Sequence, residues 1–308
     1  MASSLPESYS DLSFPHVKLF HVPPSCPTLT PVILVTRHRP QNQNAFTDLM
    51  TDSLCTSFAL LSSDPRVKSI VVTGHGRMFC AGADLDTGLS YKDDTARTHR
   101  DGGGKVALAI LRCCKPVVAA VNGSAVGVGI TMTLPMDIRL VSERAKIGFV
   151  FARRGIVMEA ASSFFLPRLV GYSRAMHLAT TGEVLRADHS LLDGLFSEIL
   201  PEDQVLGRAL AIADDIARNT SAVSTKLMRD LIWSGLGSAE QTHLLDSKIL
   251  PQLFDGEDKM EGVKSFLENR APRFQGTMPQ DAPDIWPWWQ PAEVKVERGA
   301  RAAAKPKL

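Results

Sequence analysis

Residues 77–85 read RMFCAGADL, and residues 115–129 read KPVVAAVNGSAVGVG. The first follows the β-branched run KSIVVTGHG (68–76), and the second begins with one of its own, so both have small residues and glycine just past a strand. A Gly-Ala pair there lets a ligand approach the main chain closely and leaves an amide N–H free to donate. Gly123, Gly127 and Gly129 suit the start of a helix, where unpaired N–H groups and the helix dipole accept negative charge. Taken singly, either stretch reads equally well as an ordinary turn. The glycines do not fall in a usable G-x-G-x-x-G frame, and G-x-x-x-x-G-K-[ST] is absent, so a nucleotide site is weakly supported.

Outward from these stretches, strands are expected at 30–36, 68–76, 115–123 and 137–143, with helical spacing over 46–62 and 105–112. Alternating strands and helices imply stacked α/β units. Strand signals end near 204, and 204–218, 221–234, 238–254 and 258–269 read as amphipathic helices. The expected organisation is an N-terminal extension (1–27), an α/β core carrying the site (28–203), a helical region (204–274) and a tail (275–308). The tail is rich in proline and charge and reads as loosely held. Its Trp286, Trp288 and Trp289 could dock on the body or on a partner subunit.

The chain has 308 residues, 44% hydrophobic and 22% charged, with a formal net charge of +1. That balance gives no support to nucleic acid or an anionic membrane as a mainly electrostatic partner. No uncharged apolar stretch reaches the roughly 18 residues that cross a bilayer, and the N-terminus lacks the basic and apolar regions of a signal peptide. Cys26, Cys55, Cys80, Cys113 and Cys114 are odd in number and scattered. They read as reduced thiols, not a disulfide framework or a zinc site. The closing residues, AAAKPKL, end in a small or proline residue, a lysine and a leucine, like the C-terminal peroxisome address; a flexible basic tail is the other reading.

FCAGADL, then KPVVAAVNGSAVGVG, DIRLVSERAKIGF (137–149), LPRLVGYSRAMHLATTGEVLRA (166–187) and EGVKSFLENRAPRF (261–274) follow one another in order. This order resembles the enoyl-CoA hydratase/isomerase (crotonase) family over about residues 30–274. The resemblance implies repeated β-β-α units in a superhelix, with C-terminal helices that assemble a homotrimer or hexamer. It implies an acyl-CoA substrate and no cofactor or metal, coenzyme A arriving as part of the substrate. Two backbone N–H groups of the family form an oxyanion hole for the thioester carbonyl; by position these are Ala83 and Val128. Cys80, Ala81, Gly82, Asp84 and Gly127 belong to the same substrate-binding loops, although Asp84, like Asp137, reads more naturally as structural. Arg39 and Lys264 are the candidates for CoA phosphates. Val128 stands where glycine is common, which leaves a main-chain donor intact. Each such donor is worth about 3 kcal/mol to a developing enolate in a dry site.

Family hydratases carry two glutamates, and this chain has Thr131 and Phe151 at those positions. In RRGIVMEAASS (153–163), Glu159 is an acid among apolar and small residues, expected at the start of a helix. From the residues alone it is a first-turn acid complementing a helix dipole or a base in a dry pocket. It resembles the single acid of peroxisomal-type Δ3-Δ2-enoyl-CoA isomerases. The expectation is therefore a double-bond shift in peroxisomal fatty-acid metabolism, with the import receptor reading the C-terminus. The alternatives are a hydratase or isomerase handling a siderophore or polyketide acyl group and, from another class, a non-catalytic RNA- or protein-binding relative. The near-neutral charge argues against RNA.

Overall fold

A computed structural model describes residues 5–26, 28–86 and 98–294. The C-terminal Pro306–Leu308 signal expected from the sequence lies outside the described residues. The elements run β1 (Val17–His21), β2 (Val32–Arg37), α1 (Asp48–Ser63), β3 (Ser69–Gly74), α2 (Gly102–Arg112), β4 (Val117–Val121), β5 (Ala125–Val126), α3 (Val128–Thr131), β6 (Ile138–Ser142), β7 (Lys146–Gly148), α4 (Ser162–Val170), α5 (Tyr172–Thr181), β8 (Val184–Arg186) and β9 (Glu198–Leu200). Four helices follow: α6 (Glu202–Asn219), α7 (Ala222–Trp233), α8 (Ala239–Phe254) and α9 (Glu257–Leu267).

The main sheet has the order β1-β2-β3-β4-β6-β9. Only β1 is antiparallel, pairing β2 from Val17 opposite Arg37 to His21 opposite Ile33. β2, β3 and β4 are buried at every residue, which is why they read as continuous β-branched runs rather than as alternating ones. Successive side chains serve opposite faces. Val32, Leu34, Val71, Val118 and Leu140 pack with Val205, Ala209 and Ala213 of α6, while Ile33, Val35, Ile70 and Val72 join the larger core with Leu54, Phe58 and Ile110. A smaller sheet, β5-β7-β8, lies beside the first and fixes the segment that begins α3.

Two features depart from the sequence reading. Residues 1–27 are not only an extension: VKLFH forms β1, burying Val17, Leu19 and His21, and Tyr9 is fully buried with its hydroxyl on Asp64 at 3.1 Å. The described part of the tail, up to residue 294, is held by its own chain. Trp286 Nε1 donates to Asp230 Oδ2 at 2.8 Å and Trp288 Nε1 to the Ser234 carbonyl at 3.0 Å.

The C-terminal helices are joined to the sheet by a buried guanidinium. Arg229 of α7 donates to the carbonyls of Leu111, Cys113 and Lys115 and pairs with Asp137 at 3.2 Å. Asp137 also accepts the Val117 amide at 2.7 Å, so its expected structural role is visible as a link between β4, the turn before β6 and α7. Breaking a buried pair of this kind costs about 3–5 kcal/mol.

Candidate active site

Three amides of the loop after β3 are pinned. Cys80 N–H donates to Ser124 O at 3.2 Å, Ala81 N–H to Gln43 O at 3.1 Å and Asp84 N–H to Phe46 O at 2.9 Å; Gly82 O accepts from Phe46 N–H at 2.8 Å. The Ala83 N–H, between them, has no protein acceptor among the described residues. Gly82 turns the chain at φ +101°, and a Cβ there would lie 3.1 Å from Val126 O, so glycine is needed on both counts. Asp84 is buried and paired at 2.7 Å with Arg39, which also donates to Ala45 O at 2.8 Å. Arg39 was expected to meet CoA phosphates. Its guanidinium is turned inward, with a side chain only 12% exposed, and braces the loop instead.

The second loop leads into α3. Gly127, at φ +55°, donates its N–H to Gly148 O at 2.9 Å, and the next amide, Val128 N–H, opens the helix without a protein acceptor among the described residues. Residue 129 has no room for a side chain, because a Cβ would lie 2.5 Å from the Cys80 carbonyl. A Cβ on Gly127 would lie 3.9 Å from Gly82 Cα. The two loops therefore meet backbone to backbone, with a free N–H from each beside the contact. Pro135, three residues past Met132, is compatible with a helix that ends at Thr131.

Glu159 does not start a helix. α4 begins at Ser162, and Glu159 precedes a corner at Ala160 (φ +57°) and Ala161 (φ +52°). Its own carbonyl accepts the Ser162 N–H at 3.0 Å and the Ser162 hydroxyl at 2.6 Å, so the carboxyl is left to point elsewhere. Oε1 accepts from Thr131 Oγ1 at 2.5 Å, and Oε2 is buried with no protein partner. A Cβ on Gly103 of α2 would fall 1.6 Å from Oε2 and 3.0 Å from Val128 Cγ2. The carboxyl thus lies over the glycine surface of α2 and next to the residue that supplies the second free N–H.

Burial pushes the Glu159 pKa up to about 7; the Asp101 carboxylate adds to the rise and the Thr131 hydrogen bond opposes it. A carboxyl near half-protonation at neutral pH serves as base and as acid with little loss in either role. The Thr131 hydroxyl also lies 3.3 Å from Gly127 O. It can donate to the ionised carboxylate, or accept from the protonated one while donating to that carbonyl. The Phe151 ring is the other wall, about 4.0 Å from where a Gly127 Cβ would be. Among the described residues no group of three or more His, Cys, Asp or Glu converges as a metal centre requires, and no helix is long and apolar enough to cross a membrane. All five cysteines are free thiols.

The structure gathers Cys80, Gly82, Ala83, Gly127, Val128 and Glu159, with Ala81 and Asp84 as supports. Lys264 lies apart, in a surface hollow of α9 lined by Lys259, Met260, Val263, Leu267 and Glu268. Sequence reading missed Gly103 and Asp101. The DGGGK stretch (101–105) held a signal, since three glycines at a helix start destabilise the helix unless close packing requires them.

Two main-chain N–H groups without protein acceptors among the described residues lie beside a carboxyl of raised pKa, an arrangement able to move a proton next to a carbonyl and to hold an oxyanion. The chain belongs to the enoyl-CoA hydratase/isomerase family, whose model matches residues 29–277. It is 50% identical over 281 residues to an enoyl-CoA hydratase of Alternaria alternata, covering 90% of this chain and 92% of that one. It is 33% identical to a mevalonyl-coenzyme A hydratase of Beauveria bassiana, covering 78% of this chain and 90% of the relative. A solved structure described as an enoyl-CoA hydratase from Streptomyces coelicolor superposes with a TM-score of 0.77 at 29% identity, covering 90% of this chain and all of that one. The fold is the crotonase fold.

Gly103→Ala tests the closeness of α2 to the acid without touching any group that reacts. The added methyl displaces the carboxylate, so turnover should fall at least about 100-fold, while far-ultraviolet circular dichroism stays that of the wild type. Full activity in this variant would mean that Glu159 is not held where it is seen.

Proposed function

We propose that the protein is an enoyl-CoA isomerase that moves a double bond from the 3 to the 2 position of an acyl-CoA. The observation that carries this reading is the buried, unpaired Oε2 of Glu159 beside Val128. In the proposed reaction the carboxylate takes a proton from C2, and the electron pair delocalises into the thioester carbonyl. Ala83 and Val128 N–H hold the resulting dienolate oxygen. The carboxylic acid then returns the same proton to C4, and the new double bond lies between C2 and C3. One acid suffices, which fits a chain with Thr131 and Phe151 in place of the two hydratase glutamates.

A second reading, hydration of a 2-enoyl-CoA, is favoured by the names of the relatives at 50% and 33% identity. Purified protein offered 3-enoyl-CoA and 2-enoyl-CoA separates the two. The expected result is isomerisation that falls about 1,000-fold in Glu159→Gln. Isomerisation that survives this substitution would sink the assignment, and hydration without isomerisation would select the second reading.

We propose a peroxisomal location for the enzyme, in fatty-acid or related acyl-CoA metabolism, with the import receptor reading Pro306–Leu308. A chain lacking these three residues should remain in the cytosol of a cell that imports the full chain; equal import of both refutes the signal. The proposed assembly is a homotrimer or hexamer. Its support is the apolar surface of α9, where Met260, Val263, Phe266 and Leu267 are all more than half exposed and Phe266 reaches 80%. A trimer could also bring Lys264 to a neighbouring copy's substrate. Light scattering should give three or six times the chain mass, and a monomer mass would refute the assembly.

A further inference from the structure

Asp101 lies in the turn before α2 and contacts two parts of the chain at once. Its side chain caps α2 by accepting the Gly104 N–H, and the same Oδ1 accepts the Ala160 N–H at 3.2 Å. Ala160 is the first residue of the left-handed corner that follows Glu159. Two consecutive alanines at positive φ are costly, on the order of 1 kcal/mol or more each, and such a corner persists only where its surroundings hold it. The Asp101 bond is the side-chain contact that holds the Ala160 amide. The Asp101 carboxylate also lies against the Glu159 carboxyl.

We infer that Asp101 is a positioning residue for Glu159: it ties the Glu159–Ala161 corner to the first turn of α2 and keeps a negative charge beside the acid that carries the proton. This rests on Glu159 being the acid–base group. The groups facing Glu159 are few. Asp101 approaches from the turn before α2, the Thr131 hydroxyl from α3 and the Cys80 thiol from the loop after β3. Among the described residues, no basic side chain figures in what shifts Glu159. The neighbouring anion therefore makes proton release harder and proton return easier, as an acid that must return its proton requires.

The two roles separate in two variants. Asp101→Asn keeps an oxygen that accepts from Gly104 and Ala160, and Asn caps helices as well as Asp does, but the charge is gone. Asp101→Ala removes both bonds and the charge. Rates are measured between about pH 5 and pH 9 on whichever conversion the wild type performs, isomerisation or hydration. The carboxyl of Glu159 is also titrated by infrared difference spectroscopy, with Glu159→Gln as the blank. In the wild type the rate should rise with pH through about 7, as Glu159 ionises.

Asp101→Asn should keep the plateau rate within a few-fold and move the rising limb, and the infrared midpoint, down by about one pH unit. Asp101→Ala should lose about 10- to 100-fold in kcat with a smaller change in KM. An Asp101→Asn profile and midpoint that superpose on the wild type would overturn the electrostatic half. A plateau in Asp101→Ala equal to that of the wild type would overturn the positional half. If Asp101→Ala does not fold, positioning is judged by Asp101→Asn, whose plateau falling as far as about 100-fold would overturn it. The infrared midpoint needs no turnover, so a failure of the isomerase reading leaves this test standing.

Discussion

The approach of α3 to the Cys80 carbonyl is the contact on which the site depends. With 2.5 Å between that oxygen and the place of a Cβ on residue 129, the two backbones touch with nothing between them. The contact has to be made by main chain, because what it presents is main chain: one N–H from each loop. Everything around it serves to bring two strand ends to that point. β3 and β4 are parallel neighbours, with Ile70 opposite Val117, so the loops leaving their C-terminal ends emerge side by side. The Ser124 carbonyl and Val126 amide then bond Cys80 on both sides, extending the strand pairing into the loops. A sheet that is rigid and covered on both faces thereby fixes two amides whose side chains play no part.

Burial acts on Arg37, Cys80 and Glu159 near this contact. Arg37 is completely buried, its guanidinium 3.5 Å from the Phe79 ring centroid and its Nη1 donating to Met132 Sδ at 3.4 Å. Burial draws its pKa down to about 10, which leaves it cationic at neutral pH. The Cys80 thiol feels both Arg37 and Glu159, which act on it in opposite directions. Burial also holds that thiol's pKa above its ordinary value, which makes Cys80 a packing residue and not a nucleophile. For Glu159, desolvation and the Asp101 carboxylate act in the same direction, both raising the pKa.

β2, β3, β4, β6 and the long helices were legible in the sequence because their signals are local, whereas β5, β7, β8 and β9, of two or three residues each, are too short to carry one. Continuous β-branched runs mark β2, β3 and β4, and amphipathic spacing marks α1 and α6–α9. β1 was missed because its alternation, Val17-Leu19-His21, is short and set among prolines, and its strand character depends on β2. The corner after Glu159 was missed for a stronger reason. Ala160 and Ala161 carry no preference for positive φ, so the turn is imposed by tertiary contacts and a helix was expected in its place. Gly103 and Asp101 acquire meaning only once α2 is laid against residues 159 and 160, which lie far along the chain from both. Arg39, a candidate for CoA phosphates with Lys264, pairs with Asp84, 45 positions further along, a contact that local sequence does not reveal.

The same geometry bears on whether one acid moves a proton or also activates water. Hydration by the two-carboxylate route requires a second acid free to hold the water. Thr131 presents a hydroxyl already short-bonded to Glu159, and Phe151 presents an apolar ring. Asp101 is the only other carboxylate among the described groups acting on Glu159, but its Oδ1 is occupied by two backbone N–H groups. Through Oδ1 this carboxylate ties the corner after Glu159 to α2, and its charge raises the proton affinity of its neighbour. On the isomerase reading proposed above, Glu159 is the one acid that acts beside the paired amides, with Oε1 bonded to Thr131. Isomerisation needs only that, because the proton it accepts at one carbon is the proton it gives back at the other.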